Sequence, residues 1–240
     1  MFHPQGPTFW ELARQALSST ERGYDLLAPK FDYTPFRTPP EVLNVVSTQL
    51  ANGPPIETAL DICCGTGAAM EMLRPLVSQQ LVGLDRSQGM LGVAQERMAA
   101  TPSPAAVRLV RGEALRLPFG DQFDLAVCFG ALGHILPRDE PTFVREIHRI
   151  LRPGGRFVFV TSTMPSRLSF VYWAARSFNF AMHVRNLLIR PPFIMYYLTF
   201  LLPECDELLT KSGFDVKINN RLWHGPLSPL QLVIATKRPS

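Results

Sequence analysis

Two carboxylates, Asp61 and Asp85, close two short apolar runs, and between them lies the turn Cys63-Cys64-Gly65-Thr66-Gly67. A strand that feeds a glycine turn and then a helix, here residues 68–78, leaves backbone N–H groups free at the carboxyl edge of a parallel sheet. Open α/β folds bind ligands at that edge. Gly65 and Gly67 carry no side chain, so a ligand can approach the backbone closely. The acid at 61 repels a pyrophosphate and suits a ligand with an ammonium or sulfonium group. That charge pairing points to S-adenosylmethionine as the cofactor.

Asp85 ends the run Leu81-Val82-Gly83-Leu84, roughly 20 positions after the glycines, where a carboxylate accepts from ribose hydroxyls in any adenosine site. Glycine spacing separates a methyl donor from a dinucleotide better. The dinucleotide fingerprint needs a small residue three positions after its second glycine, and Met70 stands there. With no Tyr-x-x-x-Lys proton relay either, an NAD(P)-dependent reductase is the weaker reading; a non-catalytic adenosyl-binding module is the other alternative.

These marks extend into longer motifs: Gly112-Glu113-Ala114, Leu117-Pro118-Phe119, Phe123-Asp124, and Glu146 through Gly155 as Glu-Ile-His-Arg-Ile-Leu-Arg-Pro-Gly-Gly. Over residues 56–162, and again over 208–216, the chain resembles class I S-adenosylmethionine-dependent methyltransferases. The nearest branch is that of the ubiquinone/menaquinone-biosynthesis C-methyltransferases (methyltransferase type 11). In that family a glycine takes the place of Cys63, and an Asp usually stands at Glu113. The resemblance implies a Rossmann-like, doubly wound α/β sheet, mostly parallel with an antiparallel edge strand. It also implies an adenine face at Met90, with Glu113 and the Ala114 N–H meeting the adenine ring. The full set of expected cofactor contacts joins those three to Asp61, Cys63, Gly65, Gly67, Asp85 and Arg86, with Phe129 and Tyr33 completing it. Asp124 begins a strand, away from the ligand edge, and reads as a structural acid.

The methyl acceptor belongs beyond the fourth strand, at Cys128-Phe129-Gly130-Ala131-Leu132-Gly133-His134. Methyltransferases that act on nucleic-acid bases use an Asn/Asp-Pro-Pro-aromatic turn here, which this segment lacks. A small, lipophilic acceptor, methylated on carbon or oxygen, is the better match. Histidine's unperturbed pKa suits a general base, which makes His134 the expected catalytic and substrate-side residue. Alignment of acceptor and methyl supplies on the order of 7–11 kcal/mol and outweighs base catalysis, so no triad is required.

The elements that position these residues alternate. Apolar runs at 56–62, 80–85, 106–111, 123–129 and 155–161 are separated by helical segments, the pattern of a parallel sheet. Ser87 caps a helix to about Ala100, and Glu140-Pro141 opens another that stops before Pro153-Gly154-Gly155. A helix at 204–212 leads into two last strands, 214–221 and 229–237. One domain spans 1–240: an N-terminal helical cap (1–55), a cofactor-binding core (56–162), a lid-like insertion (165–202) and a sheet edge (203–240). In the cap, helices are expected at Thr8–Leu17 and about Pro39–Leu50. The pairs Tyr24-Asp25 and Phe31-Asp32-Tyr33 resemble the family's entry segment, with Tyr33 and Arg37 facing cofactor or acceptor.

Read as a helix from Ser166 to Arg190, the insertion places Tyr172, Arg176, Asn179, His183, Asn186 and Arg190 on one polar stripe. Phe170, Val171, Ala174, Phe178, Ala181, Met182, Leu188 and Ile189 fall opposite. Pro191-Pro192 break it, and the following ten residues, 193–202, are too few for a bilayer, which needs ~20. A roof over a lipophilic acceptor, a peripheral membrane contact, a dimer contact and ordinary core packing all fit this pattern.

Composition excludes other classes. The net charge of +4 and pI near 9.0 come from scattered arginines without a like-charge block, so no nucleic-acid partner is expected. Cysteines 63, 64, 128 and 205 have no metal spacing and read as reduced packing residues. Met1-Phe2-His3-Pro4 lacks a basic segment followed by an apolar run, from which a cytoplasmic address is expected.

Overall fold

A computed structural model describes residues 3–100 and 102–239. The strands are β1 (Ile56–Ile62), β2 (Val77–Asp85), β3 (Ala106–Arg111), β4 (Phe123–Cys128), β5 (Leu151–Ser162), β6 (Phe214–Asn219) and β7 (Leu230–Lys237). They form one sheet in the order β3-β2-β1-β4-β5-β7-β6. The first five are parallel, and β7 runs antiparallel to both β5 and β6. The expected reversed strand is present, one place in from the rim: β7 turns back from β6 and pairs with β5.

Strand order reverses between β1 and β4, and connections leave the two strands in opposite directions. A crevice opens at their carboxyl ends, the standard ligand position in such sheets. Side chains alternate between two cores, one on each face. Leu60, Ile62, Ala126 and Phe157 pack with Phe143 and Ile147 of α6 (Glu140–Ile150) and Leu209 of α8 (Glu204–Lys211). Ala59, Leu81, Leu125 and Val158 pack with Val46 of α3 (Pro40–Ala51), Met70 of α4 (Ala68–Leu73) and Leu91 of α5 (Gln88–Ala99).

Two expectations are corrected in the first crossover. The helix read as 68–78 ends at Leu73 and tightens into a 3₁₀ turn over Arg74–Leu76, and β2 begins at Val77 rather than 80. Pro75 is the reason, since a proline inside a helix loses an N–H and clashes with the preceding turn. Met70, too bulky for a dinucleotide loop, is fully buried, and a Cβ on Gly83 of β2 would lie 2.4 Å from its sulfur. The strand therefore supplies the small residue that a dinucleotide fold places on the helix.

β5 begins at Leu151 rather than 155 and runs through Pro153-Gly154-Gly155, which the sequence marks as a turn ahead of it; the other sheet boundaries follow the sequence signals to within about two residues. Ser87 caps α5 by accepting from the Met90 N–H at 3.1 Å. Asp124 is structural, as expected: one carboxylate oxygen accepts from the Glu57 and Thr58 N–H groups (3.0 and 2.8 Å), and the other meets Arg152 at 3.1 Å. N-terminal to the sheet stand α1 (Phe9–Ala16) and α2 (Thr20–Leu27), followed by a 3₁₀ turn over Ala28–Tyr33. The insertion holds α7 (Phe170–Leu188), shorter at both ends than read because Ser169 caps it and Ile189 is already extended. Among the described residues no helix is long and apolar enough to cross a membrane.

Candidate functional site

A cavity of about 400 Å³ lies at the carboxyl ends of β1, β2 and β4. Asp85 organises its floor. Its Oδ2 accepts from the Gly65 N–H and its Oδ1 from the Ser87 N–H, both at 2.9 Å, so the glycine loop is tied to the end of β2. Each oxygen retains a lone pair, and burial raises the carboxyl's pKa. The two glycines differ in task. A Cβ on Gly65 would meet nothing within 4 Å, so this residue borders open cavity. A Cβ on Gly67 (φ +82°) would lie 3.2 Å from that of Ala94, so this one lets the loop pack on α5. Cys63 adopts φ +59°, the left-handed conformation that a glycine holds without strain. A thiol hydrogen bond to Cys128, and burial second, keep its pKa well above the ordinary value, so it is no thiolate.

Asp61 lines the same floor, 2% exposed, and its Oδ2 has no hydrogen-bond partner. Burial first, and the neighbouring Asp85 carboxylate second, push its pKa well up. A buried acceptor without a donor costs free energy, and a cationic donor removes the cost. The residues present therefore fit a ligand that brings a positive group, such as the ammonium of an amino-acid moiety, to the end of β1.

The N-terminal segment straps this floor from above. Ser87 Oγ and the Gly89 N–H donate to Asp25 Oδ1 (2.6 and 2.9 Å). Thr66 Oγ1 donates to Asp32 Oδ1 at 2.7 Å, while Arg97 pairs with Asp32 Oδ2. Tyr24 reaches the far side, where its hydroxyl lies 2.9 Å from His134 Nε2. His134 Nδ1 faces the Ile194 carbonyl, which can only accept; Nδ1 therefore carries the proton and Nε2 accepts from Tyr24. Burial lowers the His134 pKa, and burial together with the Asp85 charge raises that of Tyr24, so both are neutral near pH 7.

Beyond His134 the cavity wall turns apolar and aromatic: Phe36, Phe129, Met195, Tyr196, Tyr197 and Leu198. The insertion supplies this wall through the irregular segment 193–199, not through α7. Tyr196 N–H donates to the Gly133 carbonyl at 2.8 Å, and the Ile194 N–H donates to Thr20 Oγ1 at 2.7 Å. Asn186 and Asn179 of α7 hold the segment from behind, accepting from the Phe193 and Tyr197 N–H groups at 2.9 and 2.8 Å. The polar stripe read from the sequence lines a second cleft, of about 690 Å³, on the other side of the wall 196–199. The larger volume thus lies away from Asp61 and Asp85.

The cavity brings together Asp61, Cys63, Gly65, Asp85, Arg86, Met90, Phe129, Arg37 and His134 from the residues singled out in the sequence. Four others lie outside its lining. Gly67 packs behind the loop, and Ala114 is buried in the core. Glu113 points to solvent and pairs with Arg86 at 2.9 Å. Tyr33 stacks on His3, ring centroids 4.8 Å apart. Tyr24, Asp25, Asp32, Thr66 and Ser87 were not singled out as site residues. The aromatic-acid pairs 24–25 and 31–32 carried the signal, and the tyrosine nine residues earlier is the one that turns inward.

Residues 59–155 match a family model described as a methyltransferase domain. A demethylmenaquinone methyltransferase of Staphylococcus aureus is 31% identical over 188 residues, 72% of this chain and 74% of that protein. A 2-phytyl-1,4-naphtoquinone methyltransferase of Synechococcus elongatus is 37% identical over 114 residues, 46% of this chain and 48% of that protein. The chain thus spans about half the length of this second relative. Phosphoethanolamine N-methyltransferase 2 of Haemonchus contortus, solved with S-adenosyl-L-methionine, superposes with a TM-score of 0.65 at 18% identity, covering 92% of this chain and 58% of that one. That likeness concerns the fold.

Proposed function

Because the chain belongs to the class I S-adenosylmethionine-dependent methyltransferases, we propose that it methylates a small, lipophilic, quinone-like acceptor on carbon or oxygen. The observation that carries this reading is one continuous cavity, acidic and glycine-lined at Asp61 and Asp85 and aromatic at Phe129 and Met195–Leu198. Relatives named for demethylmenaquinone and phytyl-naphtoquinone support the acceptor class.

When bound, S-adenosylmethionine supplies a methyl group on a sulfonium, an electrophile that needs alignment more than activation. Asp61 would hold the ammonium through its unpartnered Oδ2, and Asp85 would accept from the sugar hydroxyls with the lone pairs that Gly65 and Ser87 leave free. Gly65 permits close approach, and Met90, which lines the cavity with Arg86, would pack against the base. The strap residues Asp25 and Asp32 position the loop and exclude water, which strengthens the electrostatics inside. At the acceptor end, Phe129 and the wall 195–198 orient a flat apolar ring. Tyr24 Oη accepts a proton from an acceptor hydroxyl as it donates its own to His134 Nε2, which leaves His134 charged.

The test is incubation of the protein with methyl-labelled S-adenosylmethionine and lipid-soluble or water-soluble acceptor pools, including a reduced demethylated naphthoquinone. Label in the lipid-soluble pool is expected. Label confined to the aqueous pool refutes the acceptor class.

A further inference from the structure

Helix α7 is amphipathic in the wrong direction for a soluble domain. Its polar stripe turns inward to line the second cleft, and none of its residues is buried. Its outward stripe runs through Phe170, Trp173, Ala174, Ser177, Phe180, Ala181, Val184 and Leu188, and every one is exposed. Phe170 is 86% exposed, Phe180 71% and Leu188 79%, and Leu168 just before the helix is 97%. Neither a roof nor core packing accounts for such a face. Single exposed apolar residues are ordinary, but a contiguous uncharged stripe along a 19-residue helix is the mark of an apolar partner.

Helix α1 repeats the inversion: it buries Gln15 and exposes Phe9 and Trp10, and Leu17 at its end is exposed as well. The two helices are linked, since Arg185 of α7 donates to the carbonyls of Ala16 and Ser18 at 2.9 and 2.6 Å. Across the insertion the charge has one sign. From Ile147 to Pro203 the chain contains no Asp or Glu. Arg167, Arg176 and Arg190 are exposed along the rim of the second cleft, flanking this stripe, and form no ion pair among the described residues. A second copy packed through α7 would bring these arginines against their own kind, with no carboxylate on the insertion to meet them. A surface of anionic headgroups over acyl chains meets both the arginines and the apolar stripe, the complementarity of interfacial amphipathic helices.

We propose that the outward face of α7, continued by Phe9, Trp10 and Leu17, docks the protein on the surface of a bilayer containing anionic lipid. Docking is read without methyl transfer, so it stands or falls separately from the acceptor class.

The test is flotation of the full chain with vesicles of phosphatidylcholine alone or mixed with phosphatidylglycerol. Binding to the mixed vesicles is expected, falling with salt, with Trp emission quenched by brominated acyl chains through Trp173 and Trp10. Phe180→Asp with Leu188→Asp reduces partitioning at least tenfold. The unfolding midpoint changes little, because both side chains are mostly exposed and line neither cavity. Absence of wild-type flotation overturns the proposal, as does partitioning that the double variant leaves intact. A dimer seen by sedimentation that the same variant dissociates, with vesicles ignored, overturns it in favour of a second copy.

Discussion

Asp61→Asn separates stability from binding. In the free protein Asp61 is 2% exposed, leaves Oδ2 without a donor and stands close enough to Asp85 for their charges to repel. An unsatisfied buried polar group costs about 1–3 kcal/mol. Removing the charge should recover about 1–2 kcal/mol of this, or roughly 2–8 °C in melting temperature for a chain of this size. The sign with pH follows from the raised pKa. The folded state holds the Asp61 proton more tightly than the unfolded one, whose value is near 3.8. Stability is therefore lost as pH rises from that value through the folded pKa, and the Asn variant should lose less. Cofactor binding goes the other way: the ammonium favours the ionised carboxylate, so wild-type affinity rises with pH and binding releases a proton. Losing a charged hydrogen bond costs about 1.5–3 kcal/mol, or roughly 10- to 100-fold in affinity. Thermal unfolding across pH, with and without S-adenosylmethionine, reads both effects. A variant that melts lower than wild type without cofactor, yet binds it equally well, refutes the reasoning.

Tyr24→Phe should lower turnover by roughly 10²–10⁴-fold while cofactor affinity stays unchanged, because it cuts the path to His134 without touching Asp61 or Asp85; a drop in affinity with turnover intact would assign Tyr24 to the cofactor instead. Cys63→Gly should raise stability by about 0.5–1 kcal/mol, since relief of a left-handed φ exceeds the extra freedom of the unfolded chain. Cys63→Ala, which keeps the strain and loses the thiol, should lower it, and the opposite order in chemical denaturation would count against strain at this turn. Buried neutral His134 has a folded pKa below its ordinary 6.5, so stability should fall as pH drops from 6.5 to that lower value. His134→Gln should flatten this part of the profile, and an unchanged slope would show that another group titrates there.

The floor of the site was legible because backbone needs fix residue type there. A strand end, a glycine turn and a carboxylate 20 positions on leave few alternatives, and the cavity joins Asp61, Gly65 and Asp85. What covers the floor was harder to read. Tyr24 and Tyr33 sit in similar aromatic-acid pairs, and only the bend of the 3₁₀ turn over Ala28–Tyr33 sends one inward and the other to His3. The stripes of α7 were both visible in the sequence, but periodicity does not say which one faces the protein. Asn179 and Asn186 decide it by gripping the backbone of 193–197. Glu113 was expected at the adenine; its longer side chain reaches Arg86 in solvent instead.

The most direct test of the account is a crystal structure of the chain with S-adenosylhomocysteine, the demethylated form of the cofactor. The account predicts density in the cavity, with the ammonium at Asp61, the sugar at Asp85 and the sulfur directed toward Phe129 and residues 195–198. An empty cavity, or the ligand seated in the cleft beneath α7, would contradict it.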